Sequence, residues 1–289
     1  MKNDGIIRML VNQECMYNCF FCHKEGIERK CKEELTPEDI SFLFWVFNKN
    51  FNKNSIRLSG GEPLLRKDII EIVKELENVN AKIFMTTNAA LLSEKIGICQ
   101  YLEKINISIH SLKKEMYKDI TNTNIDVDSI LETIKLVRKK FPQLIITLDV
   151  TLLKDMNTTK DEIENYIKFG ENNKICIKFI ELFKSEELLY PVEKITNILN
   201  EKNYVKSSAD IRKKVYLKNN NKVILSQCFC ANNRDSIELG EECKNHNDLF
   251  ITSDGKISVC RLDNYEIDIL KEIKQRDEKR ISKKDKRSL

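Results

Sequence analysis

A chain of 289 residues can bury a sizeable core as one domain with an extension, and 41% hydrophobic with 33% charged residues excludes a disordered or fibrous protein. No apolar run approaches the roughly 18 residues that span a bilayer, and Met1 to Gly5 lacks the apolar core of a secretion signal, so the expectation is a cytoplasmic protein with no membrane partner. The net charge of +4 resides from Arg276 to Leu289, where seven Lys/Arg face three Asp/Glu; the remainder is balanced, which argues for a frayed basic tail and against a nucleic-acid partner.

In chain order, the first strand expected is Ile6–Val11, short and rich in β-branched residues. Thr36-Pro37-Glu38-Asp39 then opens a helix, with an N-cap, proline at the first position and early acids. Further strands follow at Ser55–Ser59, Ala81–Thr86, Lys104–Ile109, Leu144–Thr151 and Ile175–Glu181. Helices are expected between them near 67–78, 91–102, 160–172 and 190–202, and in Asp126–Phe141, where Ile130, Ile134 and Val137 recur at helical spacing. Strict alternation implies parallel strands with right-handed crossovers, in an α/β partial barrel or a doubly wound sheet. Either arrangement puts functional residues at the C-terminal ends of strands. Past about residue 205 the alternation stops. A loop-rich, cysteine-bearing region runs to 275, and within it Leu249–Val259 reads as a hairpin turning at Asp254-Gly255. The division expected is 1–204, 205–275 and a disordered tail over 276–289.

Ten cysteines are many for a reducing compartment, and point to metal ligation rather than disulfides. Cys99 and Cys176 fall in apolar stretches and read as buried thiols; Cys31, in a charged loop, has no assigned role. Cys15, Cys19 and Cys22 lie just beyond the first strand at C-x3-C-x2-C spacing. One loop can wrap these three thiolates around a [4Fe–4S] cluster and leave one iron open, the logic of a catalytic site. Zinc is the alternative, though its usual sets supply four ligands.

This spacing, with the aromatic Phe21 before the last cysteine, resembles the signature of the radical S-adenosylmethionine (SAM) superfamily. Gly60-Gly61-Glu62-Pro63 after the second strand matches the superfamily's Gly-Gly-Glu-Pro segment. Further matches are Arg8, Ile56-Arg57-Leu58-Ser59, Thr86-Thr87-Asn88, Asn106-Ile107-Ser108, Lys178-Phe179-Ile180-Glu181 and Thr252-Ser253-Asp254-Gly255-Lys256. Together they resemble the GTP 3′,8-cyclases of molybdenum-cofactor biosynthesis over nearly the whole chain. The resemblance implies a partial (β/α)6 barrel. It implies that SAM chelates the open iron, with the segment from Gly60 to Pro63 holding its amino group. Gly61, Thr87 and Ser108 would contact SAM, and Phe21 would lie near the adenine. Arg8 and Arg57 match arginines that hold substrate phosphates or guanine, while a strand-end arginine paired with a barrel acid is the other reading of Arg57.

Departures from the cyclases concentrate late in the chain. Their second cluster uses three cysteines, but here Cys243 and Cys260 take the outer positions and His246 the middle one. Asp248 and Phe250 replace two GTP-gripping arginines, and an acid there would repel a triphosphate. Cys228 and Cys230 could complete a second [4Fe–4S] cluster with Cys243 and Cys260; His246 with three of these cysteines, or a zinc site, are the rivals. His110, ending the fourth strand, is a candidate for proton transfer or substrate contact. The expectation is a radical SAM enzyme that abstracts hydrogen from a small nucleotide-like molecule for bond formation or rearrangement, with a flavodoxin or ferredoxin as electron donor. A maturase of a ribosomally made peptide, a divergent GTP cyclase and a non-catalytic zinc or iron–sulfur protein are the alternatives.

Overall fold

The computed structural model describes residues 5–27, 29–31, 34–182, 185, 187–210, 212–227, 248–258 and 266–285. The chain alternates β1 (Ile7–Asn12), α1 (Pro37–Phe51), β2 (Ser55–Gly60), α2 (Ile69–Asn78) and β3 (Lys82–Thr87), then a 3₁₀ turn at Ile96–Tyr101 leading to β4 (Lys104–Ser108). Two helices, α3 (Lys114–Thr121) and α4 (Val127–Lys140), precede β5 (Ile145–Leu152), followed by α5 (Lys160–Asn173), β6 (Cys176–Glu181) and α6 (Ile195–Glu201). The later strands are β7 (Val205–Ala209), β8 (Lys213–Lys218), β9 (Asn221–Ser226), β10 (Leu249–Ile251), β11 (Lys256–Ser258) and β12 (Ile267–Asp268), with helices α7 (Leu270–Lys274) and α8 (Glu278–Asp285) last.

The twelve strands among the described residues form one sheet, ordered β12-β11-β10-β1-β2-β3-β4-β5-β6-β9-β8-β7. The six expected strands pair in parallel, and β10 and β9 extend the parallel run beyond β1 and β6 respectively. The order runs from edge to edge without closing, as a partial barrel requires. The strands β7 to β9 and β10 to β12 therefore extend the barrel sheet itself. Of these, β7 shows no apolar alternation that marks a strand in sequence.

Alternation along the parallel strands separates two environments. Ile7, Met9, Val11, Ile56, Leu58, Ile105, Ile107, Leu148, Val150 and Phe179 are buried under the helices. Each such side chain contributes roughly 1.5–3 kcal/mol by leaving water. The intervening positions, Arg8, Arg57, Lys104, Asn106, Asp149 and Lys178, turn to the other face, the barrel lumen. Capping boxes start α1 at Thr36/Asp39 and α5 at Thr159/Glu162.

The basic C-terminal stretch contributes α8, which packs against α1. Ile281 of α8 is fully buried in the core, and Lys274 and Arg276 bond Asp39 at the start of α1 (2.7 and 2.8 Å). The tail's charge hid a single apolar anchor. Among the described residues no helix is long and apolar enough to cross a membrane.

Candidate active site

Beyond β1 the chain carries Cys15, Cys19 and Cys22 over the C-terminal ends of the strands. The turn after β2 fixes the start of this loop. Gly60 adopts φ +139°, and a Cβ there would stand 2.3 Å from the Asn12 carbonyl oxygen; on Gly61 it would stand 2.1 Å from that of Glu14. Without side chains the two segments close up: Gly61 N–H donates to Asn12 O (3.1 Å), Glu62 N–H to Glu14 O (2.7 Å) and Asn12 Nδ2 to Glu62 O (2.9 Å). On its other side the loop rests on α3. Asn18 N–H donates to Thr121 O (3.1 Å), and the hydroxyls of Tyr17 and Tyr117 share a hydrogen bond of 2.8 Å. Phe21 packs with Ile120, Leu153 and Leu182, and its ring meets His110 edge-on at 4.8 Å.

The three thiols are free; Cys15 and Cys22 are exposed and Cys19 is half-buried. Tyr17 N–H points to Cys15 Sγ and Lys24 N–H to Cys22 Sγ, each at 3.4 Å. Burial raises the Cys15 thiol, helped by the charges of Glu62 and Cys22. Burial, then Cys22 and Cys15, push Cys19 up to about 12. Thiols that hinder one another's ionisation need a cationic partner to become thiolates together, and iron provides one. Among the described residues no three His, Cys, Asp or Glu side chains converge as one metal ion demands. A cubane binds each thiolate through a different iron, so its ligands stand further apart. The donor set fits a cluster.

Glu62 is fully buried, and its carboxylate is occupied. It accepts from Thr87 Oγ1 (2.6 Å), Leu64 N–H (2.9 Å) and Asn88 N–H (2.7 Å). The acid of the Gly-Gly-Glu-Pro segment thus splices the β2 turn to the end of β3, with Pro63 buried in the short turn that follows. Ser108 ends β4, half-buried. His110, two residues on, accepts Thr151 N–H at Nδ1 (3.2 Å), which leaves the proton on Nε2. Burial pushes this imidazole down to about 4, partly countered by Asp149. It is a neutral donor near pH 7, suited to contact rather than to taking up a proton.

Below lies a charged lumen. Arg57 donates to Thr86 Oγ1 (3.3 Å) and Asn106 Oδ1 (3.1 Å), and Asn106 passes both bonds of its amide on to Asp149 (3.0 and 2.8 Å). Lys178 stands 3.7 Å from the same carboxylate. Burial, then the charge of Arg8, brings Arg57 down to about 10. Burial and neighbouring cations also lower Lys104 and Lys213. Arg8 bonds Asp248 through Nε (2.9 Å) over the Phe250 ring, and Asp248 also accepts Ile6 N–H (2.9 Å). Asp248 therefore neutralises one arginine of the lumen.

A sequence profile of the Radical SAM superfamily matches residues 9–170. The chain belongs to the radical SAM superfamily. It is 31% identical to a probable GTP 3′,8-cyclase of Pyrobaculum aerophilum, over 94% of this chain and 88% of that one. A probable GTP 3′,8-cyclase of Thermococcus kodakarensis is 32% identical over 90% of this chain and 86% of its own. Among solved structures, Streptococcus suis SuiB bound to S-adenosylmethionine superposes at TM-score 0.69 with 16% identity, covering 92% of this chain. The chain spans 63% of SuiB's length. Native anSMEcpe with bound AdoMet superposes at TM-score 0.62 with 15% identity, over 96% of this chain and 82% of that one. These two likenesses concern the fold. The protein is accordingly an enzyme of a superfamily whose members use a [4Fe–4S] cluster and SAM.

Within this radical SAM fold, Cys15, Cys19, Cys22, Phe21, Gly60, Gly61, Thr87, Ser108 and His110 gather at the same end of the sheet, and Arg8 and Arg57 lie side by side in the lumen. Cys228, Cys230, Cys243, His246 and Cys260 lie outside the described residues. Cys31 sits beside Arg29, whose guanidinium bonds Asp254 and Glu266 and so ties the segment after the cysteine loop to the hairpin of β10 and β11. Lys104, Asp149 and Lys213 escaped the sequence reading, as did the Tyr17–Tyr117 pair. The first two carried a signal. A charged or amide residue at every second position of an otherwise apolar parallel strand, as in Lys104-x-Asn106-x-Ser108, marks a lumen-facing row.

Proposed function

We propose that Cys15, Cys19 and Cys22 hold the [4Fe–4S] cluster, and that the enzyme abstracts hydrogen from a small, anionic, nucleotide-like molecule for bond formation or rearrangement. The carrying observation is the lumen beneath the cysteine loop, where the cations Arg57, Lys104, Lys178 and Lys213 outnumber the acids Asp149, Glu25 and Asp210 once Arg8 is paired with Asp248. Held by Cys15, Cys19 and Cys22, the reduced cluster would supply the electron for reductive cleavage of SAM. Gly60 and Gly61, free of Cβ atoms, keep the turn tight against Asn12 and Glu14 and so hold the segment that would meet SAM, and the Ser108 hydroxyl and Phe21 flank that place. Glu62 and Thr87 act by holding the turn in place. Nε2–H of His110 offers the substrate a hydrogen bond without changing charge. Exposure of the loop at Cys15, Phe20 and Cys22 suits electron delivery from a flavodoxin or ferredoxin.

A second [4Fe–4S] cluster on Cys228, Cys230, Cys243 and Cys260 belongs to the same reading; four cysteines in so short a stretch are a complete ligand set. Anaerobic reconstitution should then yield about eight irons per chain, against about four for one cluster. About four irons with one bound zinc would exclude the second cluster. Reduction should release 5′-deoxyadenosine from the wild type and none from Cys15→Ala. Deuterium transfer into 5′-deoxyadenosine should occur from labelled nucleotides and not from peptides; transfer from a peptide alone would overturn the substrate assignment.

A further inference from the structure

We infer that Asn88 is a positioning residue that sets the reduction potential of the cluster by donating a side-chain hydrogen bond to the Cys15 sulfur; this rests on Cys15 being a cluster ligand. Asn88 follows the last residue of β3, and its backbone is held from below. Its N–H donates to Glu62 Oε2 (2.7 Å), and Thr87 Oγ1, bonded to the same carboxylate, accepts Ala89 N–H (2.9 Å). The next residue, Ala89, is buried and takes the left-handed conformation at φ +62°, which an alanine adopts only at some cost. The backbone is bent where it delivers the Asn88 side chain.

That side chain is locked at both ends. Its Oδ1 accepts Ala90 N–H (3.0 Å), which requires the oxygen to be on that side. The amide group is therefore the end that faces the cysteine loop, with Nδ2 at 3.3 Å from Met16 Sδ and 3.8 Å from Cys15 Sγ. An NH₂ group carries two hydrogens, one for each sulfur. Asn88 is 8% exposed, so water competes poorly for them.

Electron addition places negative charge on the cluster and its thiolates. A donor aimed at one sulfur stabilises the reduced form more than the oxidised form and raises the potential. The Tyr17 and Lys24 backbone amides that face Cys15 and Cys22 act in the same sense, but every residue type supplies a backbone N–H. Asn88 is the contribution that the sequence can tune.

Asn88→Asp tests this with little change of shape. A carboxylate still accepts Ala90 N–H, loses both hydrogens and adds a negative charge beside the sulfur. Asn88→Ser also keeps the turn, through its hydroxyl, but is neutral and too short to reach Cys15. Both should bind iron at the wild-type ratio. An EPR-monitored redox titration should give a lower midpoint potential in both, with the larger shift in the aspartate variant. Should Asn88→Asp fail to assemble, Asn88→Ser carries the comparison. A wild-type midpoint in either iron-replete variant, or loss of the cluster from both, would overturn the inference. Failure of the wild type to bind iron at Cys15, Cys19 and Cys22 would instead refute the cluster assignment on which it rests.

Discussion

His110 lies between Phe21, the Thr151 backbone and the lumen acid Asp149, and its surroundings fix both its charge and its tautomer. An exposed histidine gains a proton near pH 6.5, whereas this one holds off until about 4. Between those values the unfolded chain binds a proton that the folded chain refuses, so stability falls as pH drops from about 6.5 to 4 and is unaffected by this residue above that window. Chemical denaturation at successive pH values should show this fall. In His110→Asn, whose Oδ1 can keep the bond from Thr151, the decline between pH 6.5 and 4 should become shallower by a few kcal/mol at most. An unchanged slope would mean that His110 protonates freely in the folded protein.

At the scale of elements, α1 joins the two ends of the chain. Asp39 caps its own helix with Thr36, and then accepts Lys274 at the end of α7 and Arg276 in the turn that follows while almost fully buried. Asp39→Ala removes a cap and two ion pairs to partly exposed cations, which together should cost about 1–3 kcal/mol. Hydrogen exchange should quicken over 270–285 more than over β2 to β5. The six central strands and the capped helices were legible because each carries its own periodicity and start signals. Two other parts were hidden for physical reasons. Strand β7 is exposed along its length and shows no apolar alternation, so only its pairing with β8 makes it a strand. Helix α3 is short, and its burial falls on Tyr117, Ile120 and Thr121, a face defined by the cysteine loop resting on it. Within the site, Cys15, Cys19, Cys22 and the two glycines were readable because their chemistry admits few substitutes. Lys213 was not, since only the pairing of β8 with β9 brings it to the lumen.

For the molecule as a whole, the even balance of charge outside the C-terminal segment conceals an uneven distribution, with cations gathered in the lumen. From sequence alone, Asp248 is an acid that repels a triphosphate. The structure gives that acid a partner, and the consequence for an anion runs through Arg8, which is withdrawn from ligand binding by the 2.9 Å ion pair. Asp248→Asn keeps an oxygen for Ile6 N–H, releases Arg8 and adds one unit of positive charge to the lumen. GTP should then bind about tenfold more tightly at low salt, with the gain shrinking as ionic strength rises. Isothermal titration of both proteins from 50 to about 300 mM salt measures this directly. If binding of GTP were the same in both, the lumen charge would not be what selects the ligand. If GTP bound more weakly to Asp248→Asn, the acid itself would be a ligand contact, for instance to an amino group of the substrate, and the surplus cations would serve another part of the same molecule.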